Sequence, residues 1–261
     1  MLGPVRAATD GGSAVDLGGP KQRLVLALLI IRIGRVVSVD ELVDGIWGER
    51  ASAGSRSTLQ TYMSNLRAIT NGLVEHEGGG YRLNAQSSEV DALLFEEAVV
   101  SGRSAVYIRP WEAASMLRNA LAMWEGRPYA DVPGTCPIDA EARRLYELRL
   151  CAIEDWIEAE LSLGRHRDVI PQLEVLDGEY PLSERLHGHH MVALYRSGRQ
   201  SDALRLYDRA RALLREELGV DPSPELQELQ MRILVHDDSL RLAASASEMW
   251  SEVLSSIRLD Q

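Results

Sequence analysis

The sequence is organised around residues 57–69, which are Ser57-Thr58-Leu59-Gln60-Thr61-Tyr62-Met63-Ser64-Asn65-Leu66-Arg67-Ala68-Ile69. Apolar residues recur in this stretch at steps of three and four, so they share one face of a helix. They are Leu59, Tyr62, Met63, Leu66 and Ile69. The opposite face contains Ser57, Gln60, Thr61, Ser64 and Ala68, with Asn65 and Arg67 at its edges.

This outward face carries hydrogen-bonding groups but no carboxylate. No Asp or Glu occurs between Glu49 and Glu75, whereas Arg50, Arg56 and Arg67 all lie in that interval. Gln, Thr, Ser, Asn and Arg side chains suit the base edges and phosphates of a DNA major groove. An ordinary solvated helix face has the same composition, so the neighbouring segments must decide between the two interpretations.

Charge is distributed unevenly along the chain. A length of 261 residues, 45% of them hydrophobic and 26% charged, is enough for two globular domains. The net charge is −11, but residues 1–86 contain nine Lys+Arg and eight Asp+Glu, which leaves 19 basic and 31 acidic residues for the remainder. Any nucleic-acid site therefore belongs to the N-terminal third.

Cysteine usage and hydropathy indicate a cytoplasmic protein. Cys136 and Cys151 have no metal-binding spacing and form no disulfide framework of the kind found in small secreted domains. The longest apolar run, residues 24–31, is too short to span a bilayer. We therefore expect no membrane association.

The N-terminal third predicts a small hairpin followed by two helices. Short strands are expected at residues 4–9 and 14–17, on either side of Asp10-Gly11-Gly12. The first helix is expected at residues 20–33. The second starts at a capping box formed by Ser38 and Glu41 and ends near Gly48.

The helix of residues 57–69 comes next, and Ser57 with Gln60 predicts a second capping box at its start. Strands are expected at residues 73–77 and 81–84, joined by a flexible tip at Gly78-Gly79-Gly80. This order is that of a winged helix-turn-helix, in which the third helix enters the major groove and the wing lies along the backbone. The context favours DNA binding over a solvated helix face.

The rest of the chain is predicted to be all-α. Helical segments are expected at residues 91–100, 110–124, 138–163, 168–179, 183–197, 201–218 and 224–234. Gly164-Arg165 and Gly198-Arg199 lie 34 residues apart, each between two helices, and this period is typical of tetratricopeptide repeats. Pro171 is expected in the first turn of its helix, where it removes no hydrogen bond.

The predicted fold class is therefore mainly α, with a winged helix-turn-helix, small β-sheet and wing before an all-α tetratricopeptide-like repeat domain. The expected domains are residues 1–86 and 87–235, followed by an amphipathic tail at residues 236–261. One helical face of that tail contains Met249, Trp250, Val253, Leu254 and Ile257. We expect it to dock within its own chain.

Several of these stretches together resemble the Streptomyces antibiotic regulatory protein family. They are LGPV at residues 2–5, LGGPKQR at 17–23, VSVDELVDGIWG at 37–48, TLQTYMSNLR at 58–67, GYRL at 80–83, VDALLFE at 90–96, ALYRSGRQ at 193–200 and EELGVDPSPEL at 216–226. The resemblance covers roughly residues 2–235. It implies an OmpR-type winged helix joined to a bacterial transcriptional activation domain.

This resemblance implies a transcriptional activator rather than an enzyme. Such activators bind direct repeats in double-stranded promoter DNA as a homodimer, and their helical domain contacts the sigma factor and core subunits of RNA polymerase. Many control an antibiotic gene cluster. Larger relatives append an ATPase or a sensory module. The helical repeats of this sequence are expected to end near Leu234, which predicts the short form of the family, without such a module.

If the resemblance holds, four side chains are candidates for base contacts: Gln60, Thr61, Ser64 and Asn65. The candidates for backbone contacts are Arg56, Thr58, Arg67 and, in the wing, Arg82. Trp47 is expected to pack in the core with one edge exposed.

No catalytic, cofactor or metal site is predicted. His187 and His190 lie one helical turn apart, but the sequence offers no obvious third ligand, and the surface of a repeat helix accounts for them. Gly78-Gly79-Gly80 is not followed by the Lys-Ser/Thr of a phosphate-binding loop, and no nucleophile elbow or zinc-protease motif occurs.

Two alternatives remain open. The sparse positive charge of residues 57–69 allows a tetratricopeptide-type interaction scaffold whose winged helix no longer binds DNA. A regulator that senses a small molecule in a pocket between the domains is the second alternative, although no sequence feature favours it.

Overall fold

The computed structural model of the chain describes residues 1–9 and 11–240, except for the side chain of Ser87. These residues divide into two compact units. The first unit consists of Met1–Val100 and Arg118–Ala152, and the second begins with Ser101–Leu117 and resumes at Ile153. Asp10 in the predicted hairpin turn and the part of the predicted tail after residue 240 lie outside the described residues.

The first unit opens with short strands and three helices. Strands β1 (Ala7–Ala8) and β2 (Ala14–Val15) pair antiparallel, and both are shorter than predicted. Helix α1 (Pro20–Ile31), strand β3 (Val37–Ser38), helix α2 (Val39–Trp47) and helix α3 (Ser55–Ile69) follow. The Ser38–Glu41 capping box is confirmed, since the Glu41 N–H donates to Ser38 Oγ and the Ser38 N–H donates to Glu41 Oε2.

The predicted capping box at Ser57 is wrong, because α3 begins two residues earlier. Gly54 occupies the N-cap position and no side chain caps the helix there. Ser55 Oγ instead accepts a hydrogen bond from the Ser52 N–H at 2.9 Å, which holds the turn before the helix. The first-turn N–H groups of α3 are therefore not capped by a side chain.

Helices α1, α2 and α3 pack against one another around the stripe predicted for α3. Leu59, Met63 and Leu66 are completely or almost completely buried. Leu24 of α1 and Leu42 of α2 are also fully buried in this unit. Burial of each such side chain contributes about 1.5–3 kcal/mol, so this stripe fixes the rotation of α3 about its axis.

Strands β4 (Val74–Glu77) and β5 (Gly80–Leu83) form the predicted wing, and β3 adds a third strand that the sequence did not reveal. The sheet order is β3-β5-β4, with Val37 opposite Tyr81 and Ser38 opposite Gly80. Gly78 and Gly79 have positive φ angles of 55° and 82° and make the turn. A Cβ at Gly80 would lie 2.3 Å from the Val37 carbonyl oxygen, so the β3–β5 pairing requires glycine there.

The N-terminal stretch is held by the segment around residues 125–131. The Leu2 and Gly3 carbonyls accept hydrogen bonds from the Glu125 and Tyr129 N–H groups, at 2.9 and 2.8 Å. The Asp131 carboxylate accepts from the Val5 N–H and also pairs with the Arg23 guanidinium. The first unit thus includes more of the chain than residues 1–86.

Seven further α-helices follow the wing in the described residues, which confirms the mainly α fold with its tetratricopeptide-like second part. They are α4 (Asp91–Ala105), α5 (Pro110–Leu121), α6 (Cys136–Ser162), α7 (His166–Glu179), α8 (Glu184–Arg196), α9 (Gln200–Glu217) and α10 (Pro224–Leu234). Helix α7 packs on α8, and α8 packs on α9 and α10. None of the described helices is long and apolar enough to cross a membrane.

The two glycines of the 34-residue period form the same turn twice. Gly164 and Gly198 have φ angles of 76° and 79°. The following N–H groups, of Arg165 and Arg199, donate to the carbonyls of Glu160 and Leu194, each five residues earlier. This six-to-one bond defines a Schellman ending, which turns the chain into the next helix in both repeats.

Pro171 does not lie in a first turn, as the sequence analysis expected. Helix α7 begins at His166, so Pro171 is the sixth helical residue. The carbonyl of Arg167, four residues earlier, therefore lacks the N–H it would receive in a regular helix.

We predict that Leu194→Asp destabilises the second unit far more than Leu204→Asp. Leu194 is 3% exposed, whereas Leu204 is only half-buried. A buried unpaired carboxylate should lower the free energy of unfolding by about 3–5 kcal/mol at Leu194. Urea unfolding followed by circular dichroism measures both variants, and equal losses would contradict the assigned phases of α8 and α9.

Candidate nucleic-acid interface

The polar face of α3 is exposed, because its apolar stripe is buried. Gln60, Thr61, Ser64 and Asn65 are all exposed, at positions that alternate with the buried Leu59, Met63 and Leu66. The structure thus brings the four predicted base-contacting residues together on one side of one helix. The first turn of α3 contains no acidic residue.

These four side chains differ in whether they already form hydrogen bonds within the chain. Thr61 Oγ1 donates to the Ser57 carbonyl at 3.2 Å, so only its lone pairs remain for a partner. Asn65 Nδ2 donates to Gln22 Oε1 of α1 at 3.2 Å, a contact that the sequence did not reveal. Within the described part of the chain, the side chains of Gln60 and Ser64 have no hydrogen-bond partner. Both are therefore free to contact a ligand.

The predicted backbone-contacting residues lie at both ends of α3. Thr58 Oγ1 donates to the Gly54 carbonyl at 3.1 Å. Arg56 pairs with Asp40 of α2, although both side chains are largely exposed. Arg67, in the last turn, is exposed and pairs with no acidic residue that the structure describes.

Arg82 lies within an acidic wing. Its Nη2 is 2.7 Å from Glu77 Oε2 and 4.0 Å from Glu75 Oε2, and the strand register places Arg82 directly opposite Glu75. The side chain is 32% exposed. Two carboxylates next to one guanidinium leave the wing tip net negative, which opposes approach of a phosphate backbone.

A cluster of Lys21, Trp47 and Tyr62 adjoins α3 and was not predicted as a unit. The Trp47 and Tyr62 rings stack with centroids 6.5 Å apart, and Lys21 Nζ lies 5.5 Å from the Trp47 ring centroid. Trp47 is half-buried, so the expected arrangement of a packed ring with an exposed edge agrees with the structure. Because Lys21 is positioned over an aromatic face, its ammonium is held close to the surface that carries α3.

Comparison with protein families identifies this architecture. Residues 12–83 match the family described as transcriptional regulatory protein, C terminal, and residues 90–234 match the bacterial transcriptional activator domain. The chain belongs to the Streptomyces antibiotic regulatory protein family. Known members of this family are transcriptional regulators.

Named relatives agree with this assignment. The regulatory protein DnrI of Streptomyces peucetius is 38% identical over 92% of this chain and 93% of its own length. The regulatory protein AfsR of Streptomyces griseus is 40% identical over 92% of this chain, which spans only 25% of AfsR. A solved structure of Mycobacterium tuberculosis EmbR in complex with low affinity phosphopeptide superposes with a TM-score of 0.88 at 34% identity, covering 100% of this chain and 70% of that one.

A second group of polar residues lies in the activator domain, around one carboxylate that the sequence analysis did not connect to the histidines. Asp177 of α7 contacts two histidines of α8, with Oδ1 3.2 Å from His187 Nδ1 and Oδ2 2.7 Å from His190 Nδ1. His187 Nε2 also lies 2.9 Å from the Pro181 carbonyl oxygen. His189, on the other side of α8, contacts Glu158 of α6 at 2.9 Å.

The expectation that these histidines lie on a repeat-helix surface is wrong. His187, His189 and His190 are 4%, 8% and 3% exposed. Across residues 1–9 and 11–240, no group of three or more His, Cys, Asp or Glu side chains is arranged to hold a metal ion. The three rings instead join α8 to α6 and α7 through hydrogen bonds.

The hydrogen-bond partners of His187 and Asp177 determine the protonation state of both side chains. Both ring nitrogens of His187 face oxygen acceptors, which only the doubly protonated ring can satisfy. Burial lowers the pKa of His187, but the hydrogen bonds to Asp177 and Pro181 outweigh it and raise that pKa above its usual value. Burial likewise raises the pKa of Asp177, but its two histidine partners outweigh that effect and lower it to about 2.

We predict a stability contribution from His187 that depends on pH. Because its folded pKa is raised, the contribution is complete below the unfolded pKa of about 6.5 and is lost as pH rises through the folded value. The difference in unfolding free energy between the wild-type chain and His187→Gln should therefore decrease as the pH rises above about 6.5. Urea unfolding between pH 5 and 9 measures it, with the exposed His76→Gln as control; a difference that grows with pH would contradict the assignment.

Proposed function

We propose that this chain is a sequence-specific, DNA-binding transcriptional activator that reads direct repeats in promoter DNA through α3 and its wing. One observation carries the proposal: α3 buries an apolar stripe and presents Gln60, Ser64 and Arg67 outward with no partner in the described part of the chain. A helix with free amide, hydroxyl and guanidinium groups matches the acceptors and donors of a major groove.

Each proposed contact follows from the chemistry of its side chain. Gln60, Thr61, Ser64 and Asn65 would contact base edges, and the Gln60 amide can pair with adenine through two hydrogen bonds. Arg56, Thr58, Arg67 and Arg82 would contact the DNA backbone, together with the uncapped N-terminus of α3. Arg56 and Arg82 must exchange their present carboxylate partners for phosphate to do so.

The remaining parts of the proposal concern partners. We propose a division of function near residue 86, with residues 87–235 recruiting RNA polymerase through its sigma factor and core subunits. Binding to direct repeats would involve a homodimer. Family membership and the similarity to DnrI support control of an antibiotic biosynthetic gene cluster.

A second candidate function is a repeat scaffold whose winged helix does not bind DNA. The pairing of Arg56 with Asp40, and of Arg82 with Glu75 and Glu77, favours it, because these contacts neutralise two of the few cations near α3. Selection of duplexes from a random-sequence pool by the full chain separates the candidates. Enrichment of a repeated motif supports the activator, and recovery of an unchanged pool supports the scaffold.

We predict that Gln60→Ala weakens binding to the selected duplex by about 1–3 kcal/mol and leaves binding to a scrambled duplex nearly unchanged. The reason is that a base contact exists only on the correct sequence. Fluorescence anisotropy on both duplexes measures the effect. Ser239→Ala, far along the chain from α3, is a suitable control, and equal losses on the two duplexes would place Gln60 away from the bases.

We predict opposite effects for the two sides of the wing ion pair. Arg82→Ala should weaken binding to both duplexes and reduce the salt slope by about one unit, as expected for one lost phosphate contact. Glu75→Gln combined with Glu77→Gln should strengthen binding to both, since it frees Arg82 and removes repulsion. If the double variant binds no more tightly at any salt concentration, the wing does not approach the backbone.

A further inference from the structure

A cleft in the second unit lies beside the histidine cluster. It is about 770 Å³ in volume and is lined by residues of α7, α8 and α9 and by Pro181 and Arg199. Its floor is apolar, since Leu194, Leu206 and Ala210 line it and are each 3% exposed. Its rim is charged, and includes Glu174 and Asp208.

One residue that lines the cleft, His190, has a buried ring nitrogen without a hydrogen-bond partner in the described chain. His190 is 3% exposed, and its Nε2 has no hydrogen-bond partner among the described atoms. Its Nδ1 is taken by Asp177 at 2.7 Å. A buried polar atom without a hydrogen bond destabilises the folded chain, so a ligand group that reaches and satisfies it would gain affinity.

The proton on Nδ1 determines which ligand atom fits Nε2. The Asp177 carboxylate oxygen that contacts His190 Nδ1 can only accept a hydrogen bond, so Nδ1 carries a proton. In its neutral form, the His190 ring then carries its proton on Nδ1 and its lone pair on Nε2. The group that complements this lone pair is a hydrogen-bond donor.

The free charges at the rim indicate a cationic donor. Asp202 is occupied by Arg199 and Arg205, at 2.7 and 2.5 Å. Four carboxylates and three guanidinium groups line the cleft. Of these, the groups without an ion-pair partner in the described chain are Glu174, Asp208 and one cation, Arg209. The chain beyond residue 86 is strongly acidic, with 31 Asp+Glu against 19 Lys+Arg, and so attracts basic rather than acidic segments.

From these observations we infer that the cleft between α7, α8 and α9 binds a lysine or arginine side chain of a basic segment on a partner protein. The aliphatic part of that side chain packs on the apolar floor, as long cationic side chains do on apolar surfaces. Its N–H groups donate to His190 Nε2 and to the carboxylates of Glu174 and Asp208. The inference does not depend on DNA binding, so either can fail without the other.

The test uses the full chain and three fluorescein-labelled decapeptides, in which glycine alternates with lysine, glutamate or glutamine. Fluorescence anisotropy should show saturable binding of the lysine peptide and much weaker binding of the other two. Glu174→Gln combined with Asp208→Asn should weaken it roughly tenfold, or about 1.4 kcal/mol. Glu216→Gln combined with Glu217→Gln removes the same charge from exposed positions of α9 outside the cleft, and should change it less than about twofold.

A spectroscopic measurement tests His190 without a substitution that could disturb folding. In the chain labelled with ¹⁵N-histidine, the Nε2 resonance of His190 should shift as the lysine peptide is added, whereas that of the exposed His76 should not. Equal loss of affinity in the two double variants would overturn the inference, because it would reduce the effect to long-range attraction. Preferred binding of the glutamate peptide, equal binding of the glutamine peptide, or a Nε2 resonance that does not move on binding would also overturn it.

Discussion

Burial of the α3 stripe determines both the fold of the N-terminal region and the chemistry of its surface. Leu59, Met63 and Leu66 leave water together, and they can do so only if α1 and α2 cover them. With the helix rotation fixed in this way, every residue on the opposite face must point outward. The exposure of Gln60 and Ser64 is therefore a consequence of packing, and a register change on α3 would alter the core and the proposed DNA-reading surface together.

A backbone contact constrains the wing in the same manner. Gly80 can lie against the Val37 carbonyl only because it has no side chain, and this approach pairs β5 with β3. The register that follows places Glu75 opposite Arg82, while Glu77 lies opposite Gly80. The acidity around Arg82 is thus set by the strand pairing that anchors the wing to the rest of the sheet.

Sequence patterns predicted the local elements well and the contacts between elements poorly. The helices and the Ser38 capping box follow from spacing over a few residues, and the 34-residue period follows from a repeated Gly-Arg pair; the structure contains all three. Strand β3 has only two residues, too few for a periodic signal. The Asp177–His190 contact joins two helices, and the Asn65–Gln22 bond joins residues 43 apart, so neither leaves a local pattern. The start of α3 was missed because Ser57 and Gln60 match a capping-box pattern, whereas the residue that occupies the N-cap, Gly54, has no capping side chain.

The sparse charge of α3 influences how the proposed complex would form. Two of its nearby cations, Arg56 and Arg82, already have carboxylate partners, while the chain beyond residue 86 carries a large acidic excess. Long-range attraction to DNA would therefore be weak, and non-specific affinity low. Affinity must then come mainly from hydrogen bonds that form only on the correct sequence, through neutral groups such as Gln60 and Ser64. A second copy on an adjacent repeat would raise the total affinity without requiring more positive charge on either winged helix. The reason is that, when the two copies are linked, binding of the second becomes effectively intramolecular. On this argument, the proposed direct-repeat operator would compensate for the low positive charge of a single winged helix.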